Sequence, residues 1–195
     1  MRNARLLVGL MAIVCVAGCA HPMSVRPDTT KLSGAAQTGR VSKAVGLYIS
    51  PDNLNKQVTT SGGGGDKVSY KPYADMQAGL YQVLGNVFQD VDVLKSMSDV
   101  GTIAKHSIAY VAVPEITTTS SSSGIFTWMA TDFTVVVTCR VTDAEGRDVT
   151  AVSATGVGKA DSAEVRHDFS IAGERASLDA LQKLQSAFLQ AQALK

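Results

Sequence analysis

The chain has 195 residues, with 18 Lys and Arg against 17 Asp and Glu and a formal net charge of +1 at pH 7. No block of like charge occurs. This argues against nucleic acid as a partner, which requires a basic surface, and against a polybasic membrane-surface site. The length suits one well-buried hydrophobic core, so a single folded domain is expected.

The first residues carry the pattern of a secretory signal. Arg2 and Arg5 precede an apolar run over residues 6–16, and small residues follow. A basic n-region, an apolar h-region and a small-residue cleavage site are typical of a signal peptide. The run is shorter than the ~20 residues that a transmembrane helix needs. We therefore expect residues 1–18 to be removed.

The sequence Val16-Ala17-Gly18-Cys19 resembles the lipobox of bacterial lipoproteins. In that family the cysteine becomes residue one, its sulfur takes a diacylglycerol, and the freed amine is acylated, for example with palmitate. The resemblance implies that Cys19 is lipidated and that Val16, Ala17 and Gly18 are recognised by the signal peptidase. Two or three acyl chains, at roughly 0.8 kcal/mol per buried methylene, make such anchoring stable.

The residue after the cysteine bears on location. Ala20 stands where Asp would favour inner-membrane retention in enterobacterial lipoproteins, so the resemblance implies the outer membrane, with the domain facing the periplasm. An ordinary signal peptide with a nearby cysteine and an apolar helix of a cytosolic protein are the alternatives.

Cysteine usage fits the same interpretation. Cys15 leaves with the signal and Cys19 takes lipid, so Cys139 has no partner for an internal disulfide. Cys139 lies in an alternating apolar row that should face inward. We therefore expect a small buried hydrophobe rather than a nucleophile. The other members of that row are Phe133, Val135, Val137 and Val141.

In chain order, residues 19–39 are rich in Pro, Ser, Thr and Gly and predict a lipidated N-terminus followed by a flexible tether. Residues 40–195 predict a single periplasmic α/β domain. It would begin with a buried strand over 44–49, a flexible glycine loop over 61–66 and an amphipathic helix over 73–89.

The second half predicts more strands. We expect strands over 91–94 and from 108 towards 119, separated by a short helix ending at Lys105, with Pro114 at a bend or an edge. Clean alternation over 132–143, a turn at 144–147 and a return strand over 148–159 predict an antiparallel hairpin. A long helix over 172–194 follows.

The resulting order is β-α-β-(α)-β-β-β-α. It predicts an α/β (α+β) fold with a small mixed β-sheet and two main helices packed on one face. On a lipobox, this order resembles periplasmic lipoproteins with a fold like the N-terminal domain of TolB. They include CsgG of curli secretion, PelC, LpoB and the YajG group. The resemblance covers about residues 40–195 and implies binding or assembly with envelope partners, in some cases as rings, without catalysis.

The sequence also contains fragments of patterns that are typical of catalytic, metal and phosphate sites. The three residue types of a catalytic triad occur close together, as His167, Asp168 and Ser170. Residues so near to each other in one segment rarely adopt the geometry of nucleophile, base and orienting group. No Cys/His pair has the spacing of a metal site. Gly62–Gly65 lacks the Gly-Lys-Ser/Thr ending of a phosphate loop. We expect no cofactor, no metal and no enzymatic activity, with a hydrolase as the remote alternative.

An apolar stretch follows a Ser/Thr-rich run. Ile125, Phe126, Trp128 and Met129 either begin the next strand and fill the core or form an exposed tip. An exposed tip would contact a partner, a sister subunit or the membrane, since Trp and Phe are favoured in both kinds of contact.

The sequence thus predicts a non-enzymatic, lipid-anchored accessory protein for envelope assembly or export. It would bind the membrane through its N-terminal lipid and an envelope protein by direct contact, and could form a homo-oligomer. The alternative is a small-ligand or glycan-binding module with a pocket at the sheet edge.

Overall fold

The computed structural model describes residues 20–32, 40–122 and 129–195. Its strands are β1 Ala20–Pro22, β2 Val41–Leu47, β3 Val58–Ser61, β4 Lys67–Tyr70, β5 Phe88–Val93, β6 Ile108–Ser121, β7 Asp132–Asp143 and β8 Asp148–Lys159. Its α-helices are α1 Pro51–Asn55, α2 Pro72–Val87, α3 Val100–Lys105, α4 Glu164–His167 and α5 Ile171–Gln190. In this part of the chain, no helix combines the length and apolar character needed to cross a bilayer.

The main sheet has five strands in the order β5-β2-β6-β7-β8. The first three run parallel, and β7 and β8 add antiparallel. Helices α2 and α5 pack together on one face, where the rings of Phe88 and Phe188 meet edge to face at 6.0 Å. The predicted fold class, a mixed sheet with two main helices on one face, is confirmed. A second sheet, in the order β1-β4-β3, was not predicted.

Helix α2 forms where its apolar spacing predicts. Pro72 occupies the first turn, where its missing N–H costs nothing. The buried stripe faces α5 and the sheet. The helix ends at Val87, two residues before the predicted end, because Phe88 already has extended backbone and begins β5. The stripe comprises Met76, Leu80, Val83, Leu84 and Val87.

The hairpin of β7 and β8 has the predicted bounds. Gly146 adopts a positive φ of 84° in its turn, a conformation that glycine tolerates best. The Asp143 carboxylate accepts the backbone N–H groups of Glu145 and Arg147, at 3.0 and 2.9 Å. The Arg147 backbone hydrogen bond lowers the pKa of Asp143. The turn is thus closed by its own side chain.

Cys139 lies on the inward face of β7 with the other members of its row, all buried. Burial raises the pKa of its thiol to about 12, which leaves almost no thiolate at neutral pH. Cys139 is a core residue, as predicted.

Pro114 lies within β6 and removes no hydrogen bond between β6 and β2. Ala112 accepts a hydrogen bond from Tyr48 N–H across the β2 side of β6. Pro114, two residues on, presents its nitrogen to the same side. The last β2 partner on β6 is Ala112, so the missing N–H of Pro114 lies beyond the end of β2.

Helix α5 approaches β8 unusually closely. Gly156 and Gly158 lie beneath it, and a Cβ at either position would overlap backbone atoms of the helix. Ala172, Ala176 and Ala180 supply the facing surface and are fully buried. Small residues on both elements therefore allow the helix backbone to rest on the strand.

Residues 20–32, which we call the N-terminal strap, are part of the folded domain. The prediction of a flexible tether over 19–39 is wrong for these residues. Val25 is fully buried and Leu32 nearly so, and each contributes about 1.5–3 kcal/mol by burial. The Ser/Thr/Pro composition concealed this, because the strap is ordered by distant partners rather than by local pattern. Residues 33–39 lie outside the described residues.

Candidate functional site

The predicted lipidation motif, Val16 to Cys19, lies outside the described residues, but the position that follows it does not. Ala20 begins β1 and pairs with Lys67 of β4. A peptide bond fixes consecutive Cα atoms about 3.8 Å apart, so Cys19 is attached at the start of a paired strand.

A row of residues crosses the domain at this level. Ala20 pairs with Lys67, and Lys67 pairs with Ser61 of β3. The Ser120 hydroxyl of β6 lies 2.6 Å from both the Ser61 carbonyl oxygen and the Thr60 hydroxyl. We call this end of the domain the anchor end.

The glycine-rich segment is a hairpin turn at the anchor end. Gly62 N–H donates to the Asp66 carbonyl at 2.9 Å, and Gly64 and Gly65 have positive φ. The Asp66 carboxylate lies 3.9 Å from the His21 imidazole. The segment joins β3 to β4 and leads into no helix, so it is not a phosphate loop.

The β6–β7 connection also leaves and returns at this end. Ile125, Phe126 and Trp128 lie outside the described residues, and their proposed contact stays a prediction. Met129 is described and is half-buried. Thr131 N–H donates to the Ser121 carbonyl at 3.0 Å, which closes the base of the connection.

The suspected triad residues do not assemble. Ser170 is buried, and its hydroxyl accepts the Ser24 N–H of the N-terminal strap at 3.2 Å. Asp168 accepts the Ser170 N–H at 2.9 Å. His167 is exposed at the end of α4, and among the described residues no hydrogen bond joins it to Ser170. Ser170 therefore secures the strap.

An acidic group lies beside the strap. Burial raises the pKa of Glu174, and the nearby carboxylates of Asp168, Asp28 and Asp75 raise it further. A shallow cavity of about 210 Å³ adjoins Glu174. Within the described ranges no group of three or more His, Cys, Asp or Glu residues is arranged to hold a metal ion.

A mostly apolar groove of about 260 Å³ lies where the parallel strands β2 and β5 end. Carboxyl ends of parallel strands are common ligand sites in α/β sheets. This volume lies just under the range of about 300–1,000 Å³ typical of small-molecule pockets. The groove is lined by Leu47, Ile49, Pro51, Leu54, Gln77, Val93, Leu94 and Lys95.

Three apolar side chains are exposed at the end of β5 and in the segment that follows it. Val93 at the end of β5 is 54% exposed, Met97 is 47% exposed and Val100 at the start of α3 is 72% exposed. We call these three residues the β5 patch. The sequence pattern did not indicate this patch, because it resembles that of a short helix with its capping residue, Asp99.

The opposite edge of the sheet is closed by charged side chains of α5. The Asp179 carboxylate accepts Val157 N–H at 2.9 Å. Lys183 donates to the Thr155 carbonyl at 3.1 Å, and Arg175 donates to the Lys159 carbonyl at 2.7 Å. These bonds occupy backbone groups of β8 that would otherwise be free to pair with another strand.

No protein-family model matches the chain, and no curated protein matches it. The structure is similar to that of a Xanthomonas campestris protein of the family DUF330, with a TM-score of 0.52 and 10% identity, over 88% of this chain and 96% of that one. A minor lipoprotein from Acinetobacter baumannii gives a TM-score of 0.39 at 15% identity, over 77% and 93%. The first likeness shows a shared fold alone. The resemblance to the N-terminal domain of TolB stays a prediction.

Proposed function

We propose that the chain is a lipid-anchored, non-enzymatic accessory protein of the bacterial envelope, held in the outer membrane through Cys19 with its domain in the periplasm. The observation that carries this proposal is the junction between Cys19 and Ala20. A lipobox-like sequence ends at the residue before the first strand, so cleavage between Gly18 and Cys19 would leave the lipidated residue directly before a domain with all of its described structure intact.

The non-enzymatic part of the proposal is supported by what the candidate nucleophiles do. Ser170 accepts the strap's N–H, and Cys139 is buried with a raised pKa. Both side chains have structural roles. A His167→Ala variant that retained full function in the cell would agree with this, and a loss of function with normal folding would favour the hydrolase alternative.

Protein contact is the proposed mode of action, and the β5 patch is its proposed surface. Exposed apolar side chains favour association with another apolar surface. An envelope protein is the proposed partner, in keeping with the resemblance to TolB-like lipoproteins of assembly and export systems. A second copy of the chain is the other form that such association could take.

Lipidation is tested directly by metabolic labelling with radioactive palmitate, followed by immunoprecipitation. The wild-type chain should carry label, and Cys19→Ser should carry none. Cys139→Ala is the matched control, since it removes the other cysteine of the mature chain and should keep the label. Label that persisted in Cys19→Ser would refute the proposal.

The groove offers a second candidate function, binding of a small apolar ligand. Its lining favours hydrocarbon over a glycan. The test is titration with an apolar fluorescent probe, comparing wild type with Leu54→Trp, which would fill the groove. Saturable binding that the substitution abolished would favour a ligand carrier over a purely protein-binding role.

A further inference from the structure

We propose that the domain rests directly on the bilayer, with its anchor end against the lipid headgroups and the β7–β8 turn pointing away from the membrane. The inference rests on the proposed lipidation of Cys19. It adds an orientation and a contact surface, which lipidation alone does not determine.

No flexible spacer separates Cys19 from the folded domain, because the residues that follow it are paired or hydrogen-bonded. Ala20 to Pro22 pair with β4, and Met23 N–H donates to the Ser69 carbonyl at 2.9 Å. Val25 N–H then donates to the Asp75 carboxylate at 2.9 Å. The side chain of Val25 is fully buried. A segment bonded in this way to β4 and α2 cannot act as a spacer without unfolding part of the domain.

The two ends of the domain would lie at different distances from the membrane. Neighbouring strands lie about 4.8 Å apart, so Ser61, two strands from Ala20, is roughly 10 Å from the attachment point. The opposite end is far away. β7 has 12 residues between the anchor end and the Asp143 turn. At about 3.4 Å per residue, this separates the two ends by roughly 40 Å.

The chemistry of the anchor end suits contact with lipid headgroups. His21, Asp66 and Lys67 are at least partly exposed at the anchor end, and they carry both signs of charge. Such a surface can lie among zwitterionic and anionic headgroups without burying an unpaired charge in hydrocarbon. The acyl chains supply the binding energy, so the surface itself needs no apolar wedge.

The test uses the full-length lipidated protein in vesicles of phosphatidylethanolamine and phosphatidylglycerol. Ser61→Cys places a fluorescent label at the anchor end, and Glu145→Cys places the same label in the β7–β8 turn. Cys139 stays unlabelled because it is buried and its thiol is protonated. Phospholipids with a nitroxide on the headgroup quench fluorophores at short range. Lys67→Cys repeats the measurement on the neighbouring strand.

We expect the labels at 61 and 67 to be quenched several-fold more strongly than the label at 145. Equal quenching at both ends, or none at either, would overturn the orientation. A Gly/Ser linker inserted between Cys19 and Ala20 should remove the difference, and quenching that ignored the linker would also count against direct seating. Mass spectrometry of the N-terminus separates the two proposals. An unlipidated chain refutes the proposed function, whereas a lipidated chain without the quenching difference refutes only the orientation.

Discussion

The two edges of the main sheet differ in length and in how many of their outward backbone groups are bonded by side chains. β8 is a 12-residue edge strand, and α5 supplies side chains that bond its outward backbone groups at Thr155, Val157 and Lys159. β5 has six residues and ends beside three exposed apolar side chains. On β5 the outward carbonyl of Val91 accepts the Tyr81 hydroxyl at 3.1 Å, so one side-chain bond caps this edge where three cap β8.

The difference follows from the length of each edge. A long, unpaired strand is a template for aggregation, and charged caps remove that hazard. A six-residue strand presents few backbone groups, so the association proposed at its end would use exposed side chains and little strand pairing. We therefore propose that the β8–α5 side contributes mainly to stability and that the β5 side is the surface for partner contact.

The largest expected effect tests the stability side. Gly156→Ala places a Cβ against the Ala176 carbonyl oxygen and the Ala180 nitrogen of α5. These are backbone atoms, so the clash cannot be relieved by a change of rotamer. We expect a loss of about 3 kcal/mol in the free energy of unfolding, measured by urea denaturation. Gly85→Ala in α2 is the matched control, because its Cβ would meet only Val91, at 3.9 Å. It should gain up to about 1 kcal/mol. Equal effects would mean that the close helix–strand contact is not needed.

The next effect tests the partner side. Met97→Asp combined with Val100→Asp places two charges in the β5 patch and should lower recovery of a crosslinked envelope partner about tenfold, equivalent to about 1.4 kcal/mol of binding free energy. Val157→Asp, at a side chain that is 53% exposed near the capped edge, is the control and should leave recovery unchanged. Loss of recovery in the control alone would exchange the roles of the two edges.

A smaller effect concerns the caps. Asp179→Ala removes the acceptor of Val157 N–H and should cost about 1 kcal/mol of unfolding free energy. It should also allow concentration-dependent self-association, visible by sedimentation. Asp179→Asn keeps an acceptor oxygen and should recover most of the loss. A protein that stayed monomeric and equally stable with Ala would show that the edge needs no cap.

The smallest effect is electrostatic. The hydrogen bond from Arg175 lowers the pKa of Glu164 to about 2, from an ordinary value near 4.5. Because the pKa is lower in the folded state, this pair stabilises the fold above about pH 4.5 and its contribution is lost as the pH falls towards 2. An NMR titration should show the low midpoint in wild type and its return towards 4.5 in Arg175→Ala. Arg166→Ala, on α4 itself, should leave the midpoint low.

The spacing of apolar residues along the chain predicted those helices and strands whose buried face is set by nearby residues. The alternating row around Cys139 and the helical stripe of α2 reflect which side chains face the core, and both were confirmed. The strap was not predictable in this way. Its partners Ser69, Asp75 and Ser170 are distant in sequence, and nothing in a Pro- and Ser-rich segment indicates them. The apolar Val25 and Leu32 were the only local sign.

The same reasoning separates the parts of the candidate site. Lipidation of Cys19 could be predicted because the lipobox is a short continuous motif that is recognised from sequence alone. A pocket at the sheet edge was part of the alternative function, but the residues that line the groove were not predicted, because they come from three separate segments: residues 47–54, Gln77 and residues 93–95. The β5 patch was missed because exposure is a property of the assembled fold.

The bond between Ser24 and Ser170 also bears on the order of folding, since it joins residues 146 positions apart. Val25 packs against Gly173 of α5, so the N-terminal strap completes its packing only after this last α-helix has been made. Contacts of such long range form slowly, because a long loop must close before they can form. This order is compatible with the proposed lipidation of Cys19, because residues 20–32 are not packed until α5 has been made.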